Sequence, residues 1–297
     1  MSYLDGGKVI DLMFGLPDPA GLHAAYESFK PLYRDRESRD FAFPAQYMFK
    51  DIPNIEAIGD DPVGWAVKQM DRFNIEKALI GVNEYSDMHK VARDQFGDRF
   101  VFDVGLDPNG GMDEVRRLRR LAKEYDVRAA SVFPCGCNPQ VPINDKRMYV
   151  TYAACVDMDI PIFVNAGVPG PRFPMYPQQV ELIDEVCWFF PELKFVMRHG
   201  AEPWEALAVK LMLKWPNLYY STSAFAPKHY PKAVINYANT RGADKIIYGG
   251  YYPSGLTLDR IFDELPGVPF RDHVWPKFLR ENARRVLKLD NRKALAS

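Results

Sequence analysis

Short apolar runs alternate with amphipathic stretches along most of the chain. Runs rich in β-branched and aromatic residues cover 8–14, 77–82, 99–106, 128–134, 161–167, 193–200, 217–223 and 245–253. Most lack an interior proline and read as near-continuous apolar segments, the pattern of strands buried on both faces of a parallel sheet. Between them, apolar residues recur at helical spacing. In 111–125, Val115, Leu118, Leu121 and Ala122 share one face and arginines the other; 145–159, 177–190 and 203–215 repeat the pattern. Eight strands with intervening helices, at ~30 residues per unit, predict an α/β fold closed as a (β/α)8 TIM barrel rather than left as an open sheet.

Two stretches break the rhythm. Residues 15–61 are long and rich in proline and aromatics, and they fall between the first two strands. An insertion at the C-terminal end of a barrel strand is placed to act as a lid or specificity loop. From about residue 254 a tail follows, ending in the helical segment DHVWPKFLRENARRVLKL. No linker or low-complexity tract divides the chain, so residues 1–297 are expected to form one barrel domain.

Composition narrows the function classes. With 38 lysines and arginines against 39 acids, no overall field favours nucleic acid or an acidic membrane. Four cysteines, Cys135, Cys137, Cys155 and Cys187, make no disulfide framework in a chain of this length. The start, MSYLDGGKVIDLMF, has no basic region followed by a long apolar run, and no apolar run is long enough to span a membrane. A cytoplasmic protein with a small-molecule substrate is the expectation.

In α/β barrels the chemistry lies at the C-terminal ends of the strands. The first strand ends in Asp11, Met13 and Gly15, which regular alternation would put on one face. The second and third end near Glu84 and Asp103, and the fourth at Cys135 and Cys137. The fifth ends at Asn165, before the stiff loop carrying Arg172. The sixth ends in Arg198, His199 and Glu202, with Arg198 pointed away from the face of His199 by alternation; the eighth offers Tyr251 and Tyr252.

The segment PELKFVMRHGAEPWEALAVKLMLKWPNLYYSTSA resembles the sixth-to-seventh-strand stretch of the amidohydrolase-2 family, which includes aminocarboxymuconate-semialdehyde decarboxylase and several aromatic-acid decarboxylases. GADKIIYGGYYPSG is similar to that family's eighth strand, and FLRENARRVLKLD to its close; VIDLMFG falls where the family has Ile-Asp-x-His-x-His. The resemblance implies an amidohydrolase-type barrel. It also maps the family's metal ligands onto Met13, Gly15, Asn165 and Tyr251. None is a good ligand for zinc, which wants three or four N, O or S donors from protein. No metal and no other cofactor is therefore expected. The match leaves His199, at the position of the family's general acid/base.

His199, Tyr251 and Asn165 are thus the catalytic candidates. His199 would act as the base, with Asn165 and Tyr251 as hydrogen-bond donors; equally, the latter two could fill space left by a lost metal. Arg172, Asp11, Tyr252 and Glu202 are candidates for substrate binding, against which stand a solvated charge at Arg172 and a structural role for Asp11. Cys135 and Cys137 are expected to be packing rather than nucleophiles. The expected reaction is metal-independent hydrolysis or C–C cleavage, of the decarboxylation type, of a small organic acid, lactone or ester. The expected substrate is carboxylated, aromatic or alicyclic. The alternative is a non-catalytic ligand-binding barrel, and homo-oligomers are compatible with either.

Overall fold

The computed structural model describes residues 6–49, 52–55 and 58–290. Of the predicted insertion, residues 50, 51, 56 and 57 lie outside the described residues, as do 1–5 and the end of the tail, 291–297. The first strand, β1 (Val9–Asp11), is followed by α1 (Pro19–Phe29), α2 (Arg36–Asp40) and α3 (Pro62–Arg72). Then come β2 (Ile75–Gly81), α4 (Asp87–Phe96), β3 (Phe100–Gly105), α5 (Met112–Glu124), β4 (Val127–Val132) and α6 (Lys146–Asp157). The second half runs β5 (Ile162–Asn165), α7 (Leu182–Phe189), β6 (Phe195–Arg198), α8 (Glu205–Lys214), β7 (Leu218–Ser221) and α9 (Lys232–Tyr237). It ends with β8 (Ile246–Ile247), α10 (Leu258–Glu264) and α11 (Asn282–Val286).

The eight strands pair in parallel in chain order. The ends close on each other: Leu12 N–H donates to the Tyr248 carbonyl, Tyr251 N–H to Met13 and Gly15 N–H to Tyr252, at 3.3, 2.8 and 2.7 Å. All eight predicted strands are present, and all but β2 are shorter than their apolar runs. The eighth shrinks most, because Gly249, Gly250 and a left-handed Tyr251 (φ 71°) bend the chain off the sheet. The predicted helix at 177–190 starts only at Leu182, after a 3₁₀ turn that carries Pro177.

Alternation sorts the strand residues into two layers. Ile10, Leu12, Leu79, Val101, Ala129, Phe163, Val196, Tyr219 and Ile247 fill the barrel, and Ala283, Val286 and Leu287 at α11 close its floor. The opposite set, such as Phe100, Phe102 and Val104 on β3, packs under the helices. In α5, Val115, Leu118 and Leu121 are buried as the helical spacing predicts, and Asp113 and Glu114 in the first turn suit the helix dipole. By contrast α1, in the insertion, has no buried residue; Asp18 caps it by accepting the Gly21 N–H.

Candidate active site at the barrel mouth

One step above the apolar filling, the inward positions turn polar or bare. Asp103 follows Val101 on β3, Asn165 follows Phe163 on β5, and Arg198 follows Val196 on β6. Ser131 and Ser221 hold the equivalent places on β4 and β7, and glycines hold them on β2 (Gly81) and beyond β8 (Gly249). This ring is the floor of the mouth. Asn165 and Arg198 are register partners across β5 and β6, so they project side by side.

Arg198 reaches Asp103 in a buried ion pair of 2.9 Å, and its guanidinium lies 4.6 Å from the Phe163 ring centre. Both partners are nearly buried, Asp103 at 4% exposure and Arg198 at 7%. Strand alternation had placed Arg198 away from the site. The alternation instead ends at Arg198, because His199, Gly200 and Ala201 take left-handed backbone (φ 64°, 88° and 56°). That turn swings His199 back over the mouth. Gly200 permits it: a Cβ there would sit 2.2 Å from the Phe225 ring.

Ser223 holds His199 twice. Its hydroxyl oxygen accepts the His199 backbone N–H at 3.3 Å and lies 3.1 Å from Nδ1. Burial, reinforced by the Arg198 guanidinium, pushes the imidazole down to about 3, so the ring is neutral. Tyr251 meets it edge to face, ring centres 5.3 Å apart. Burial lifts the Tyr251 phenol to about 12, leaving it a neutral donor. Two facing non-glycine residues in left-handed backbone cost about 1–3 kcal/mol each and must be held by their surroundings, a pattern that clusters at functional sites.

The insertion supplies a residue that the sequence did not single out. Tyr26 on α1 packs edge to face on Phe43, and its phenol is raised by burial and by Tyr251. The Phe49 ring packs at a tilt against Tyr251, ring centres 5.9 Å apart. The insertion therefore roofs the site with aromatic surface. Only its length and aromatic content pointed that way.

The remaining candidates go elsewhere. Asp11 does not line the mouth. Its Oδ1 accepts the N–H groups of Met13 and Gly250, at 2.9 and 2.8 Å, which turns the chain out of β1 and ends the alternation assumed for Met13 and Gly15. Among the described residues its other oxygen has no hydrogen-bond partner, and burial pushes the carboxyl up to about 6. Gly15 is pressed against Pro253, whose Cδ would lie 2.9 Å from a Cβ. Arg172 pairs with Asp35 and Glu37 of the insertion at 3.1 and 2.8 Å and covers the Phe41 and Tyr47 rings, so it fastens the roof rather than facing the floor. Tyr252 is buried between Phe14 and Trp65 in the outer layer. Glu202 is exposed, and its backbone carbonyl ties the loops after β5 and β6 by accepting Val168 N–H at 2.7 Å. Burial raises Cys135 and Cys137 to about 12, which suits inert thiols.

The Asp11 carboxyl makes a stability prediction. Its folded value lies above the ordinary 3.8, so the native state holds the proton more tightly than the unfolded chain. Stability from this group is complete below about pH 4 and falls as pH rises through about 6, by on the order of 3 kcal/mol. Asp11→Asn keeps an acceptor for the two N–H groups and carries no charge. Urea unfolding should show the variant gaining on the wild type between pH 4.5 and pH 8. A pH-independent difference would contradict the assignment.

The positions that the family match assigns to metal ligands do not carry a divalent cation's usual donors. Among the described residues, no three His, Cys, Asp or Glu side chains come together to hold a metal ion. Met13, Asn165 and Tyr251 offer a soft thioether, an amide and a neutral phenol, and Gly15 offers nothing. The residues present do not fit such an ion. Among the described residues, no helix is long and apolar enough to cross a membrane.

A family model described as Amidohydrolase matches residues 20–289. Among solved structures, an uncharacterised TIM-barrel protein from Bordetella bronchiseptica superposes with a TM-score of 0.73 at 24% identity, covering 95% of this chain and 98% of that one. A dihydroxybenzoic acid decarboxylase from a Polaromonas species, solved with bound manganese and the inhibitor 2-nitroresorcinol, gives 0.62 at 16% identity, covering 98% and 99%. A 4-oxalomesaconate hydratase from Rhodopseudomonas palustris gives 0.59 at 15%, covering 95% and 96%. No curated protein matches the chain.

Proposed function

The chain belongs to the amidohydrolase family, and from that premise we propose a metal-independent enzyme that hydrolyses a small lactone or ester, or cleaves a C–C bond of a small organic acid. The observation that carries this reading is the His199–Tyr251 pair, both in left-handed backbone and facing each other over a floor where, among the described residues, no three His, Cys, Asp or Glu side chains converge. The decarboxylase and hydratase among the structural neighbours keep both reaction types open.

For hydrolysis, neutral His199 takes a proton from water as its oxygen bonds to the carbonyl carbon. The carbonyl π electrons move onto oxygen, where the Asn165 amide and the Tyr251 hydroxyl donate hydrogen bonds. Collapse expels the alcohol oxygen, which takes the proton back from His199. An imidazolium beside Arg198 is unfavourable by itself. The negative charge developing on the substrate offsets it, so protonation is coupled to the reaction. For C–C cleavage the bond to the carboxylate breaks and CO2 leaves; the bonding pair stays on the carbon, which takes a proton that His199 relays from solvent.

Purified protein screened against lactones, aryl esters and hydroxybenzoates, before and after exhaustive chelation, tests the proposal. The expected result is a turnover that chelation leaves within about twofold and that zinc or manganese does not raise. Activity abolished by chelator and restored by metal would overturn it. Binding without turnover across the panel would favour the non-catalytic alternative.

A further inference from the structure

The cation at the floor is not saturated by its partner. A guanidinium carries five N–H donors, and the only hydrogen bond that of Arg198 makes among the described residues is the single one to Asp103. Its Nε is buried without an acceptor. A cation placed there to brace the barrel would be expected to have its donors taken up, since an unmet buried donor costs free energy. The adjoining positions are cut back. Gly81 and Gly105, flanking Asp103 on β2 and β3, are exposed to the mouth, and a Cβ at 105 would touch only the Ser131 hydroxyl, at 3.9 Å. The Asn165 side chain stands beside Arg198 with no hydrogen bond to protein among the described residues, and Ser221 Oγ is buried without a partner in the same ring. A fixed cation with an unmet donor, a free amide beside it and exposed glycines next to them form a receptor for an anionic, planar, oxygen-bearing group.

We propose that Arg198 binds a carboxylate group of the substrate, with Asp103 fixing the guanidinium plane and Asn165 contributing a second donor. This rests on the barrel mouth being the substrate site, and it assigns that substrate to carboxylates. The loop arginine, Arg172, has its charge taken by Asp35 and Glu37, which leaves Arg198 to do this. A carboxylate there sits next to His199 and counters the guanidinium that disfavours the imidazolium. Binding the right substrate thus readies the acid/base.

Benzoate and glutarate, with benzamide and glutaramide as neutral counterparts, are the probes, and affinity is read by calorimetry. The wild type is expected to bind each acid at least ~10-fold more tightly than its amide. The double variant Arg198→Met, Asp103→Leu removes the charge pair without stranding either member and is expected to lose that preference while keeping its cooperative unfolding. His199→Asn is expected to retain it, which separates carboxylate binding from catalysis: if the catalytic reading fails, this preference still stands. Equal affinity for acid and amide, absence of carboxylate binding, or an unchanged preference in the folded double variant would each overturn the proposal.

Discussion

His199→Asn is expected to lower kcat/KM by about 10²- to 10⁴-fold on whichever substrate the wild type turns over, with melting temperature changed little. Asparagine keeps a polar group near Ser223 but cannot carry the proton. The pH profile adds a sharper test. The imidazole is held at about 3 against an ordinary 6.5 by burial and by Arg198. It is therefore neutral across the working range, and the free enzyme's kcat/KM should show no inflection near 6.5. The linked stability has the opposite sign to that of Asp11. A depressed histidine binds fewer protons in the native state, so stability is complete above about 6.5 and is lost as pH falls toward 3. An activity limb at 6.5 that disappears in His199→Asn would mean that the ring is far better solvated than its packing implies.

Asp103→Ala is expected to destabilise the fold by about 3–5 kcal/mol, the second large effect. Removing the carboxylate strands Arg198 at 7% exposure inside the barrel, above Phe163. The cost comes mainly from the uncompensated charge, so the double variant Arg198→Met, Asp103→Leu should recover most of it. Urea midpoints of the two variants and the wild type decide the point. If Asp103→Ala costs less than about 1 kcal/mol, the pair is far better hydrated than its burial indicates.

These expectations draw unequally on what the chain made legible. The barrel was readable because eight apolar runs and their amphipathic partners repeat with the periods of strand and helix. The place of Asn165 at the mouth was readable because a regular strand carries it there, and that of His199 because the family match marked its position. Arg198 was missed for a physical reason: alternation holds only while the backbone stays extended, and His199 leaves it at φ 64°. Asp11 was misplaced by the same assumption, since its hydrogen bond to Met13 N–H ends β1 early. Arg172 looked like a substrate clamp because its partners, Asp35 and Glu37, lie 137 and 135 positions away. Contacts of that range between irregular segments leave no periodic trace.

As proposed, the mouth carries a positive charge on Arg198 and a neutral imidazole as acid/base, on a barrel whose structural neighbours include a decarboxylase solved with bound manganese. Elemental analysis of natively purified protein, followed by titration with zinc and manganese, tests this most directly. Less than about 0.1 equivalent of metal as purified and no saturable site on titration are expected, as where hard or borderline ligands are missing. One tightly held equivalent, lost in Asn165→Ala, would contradict it.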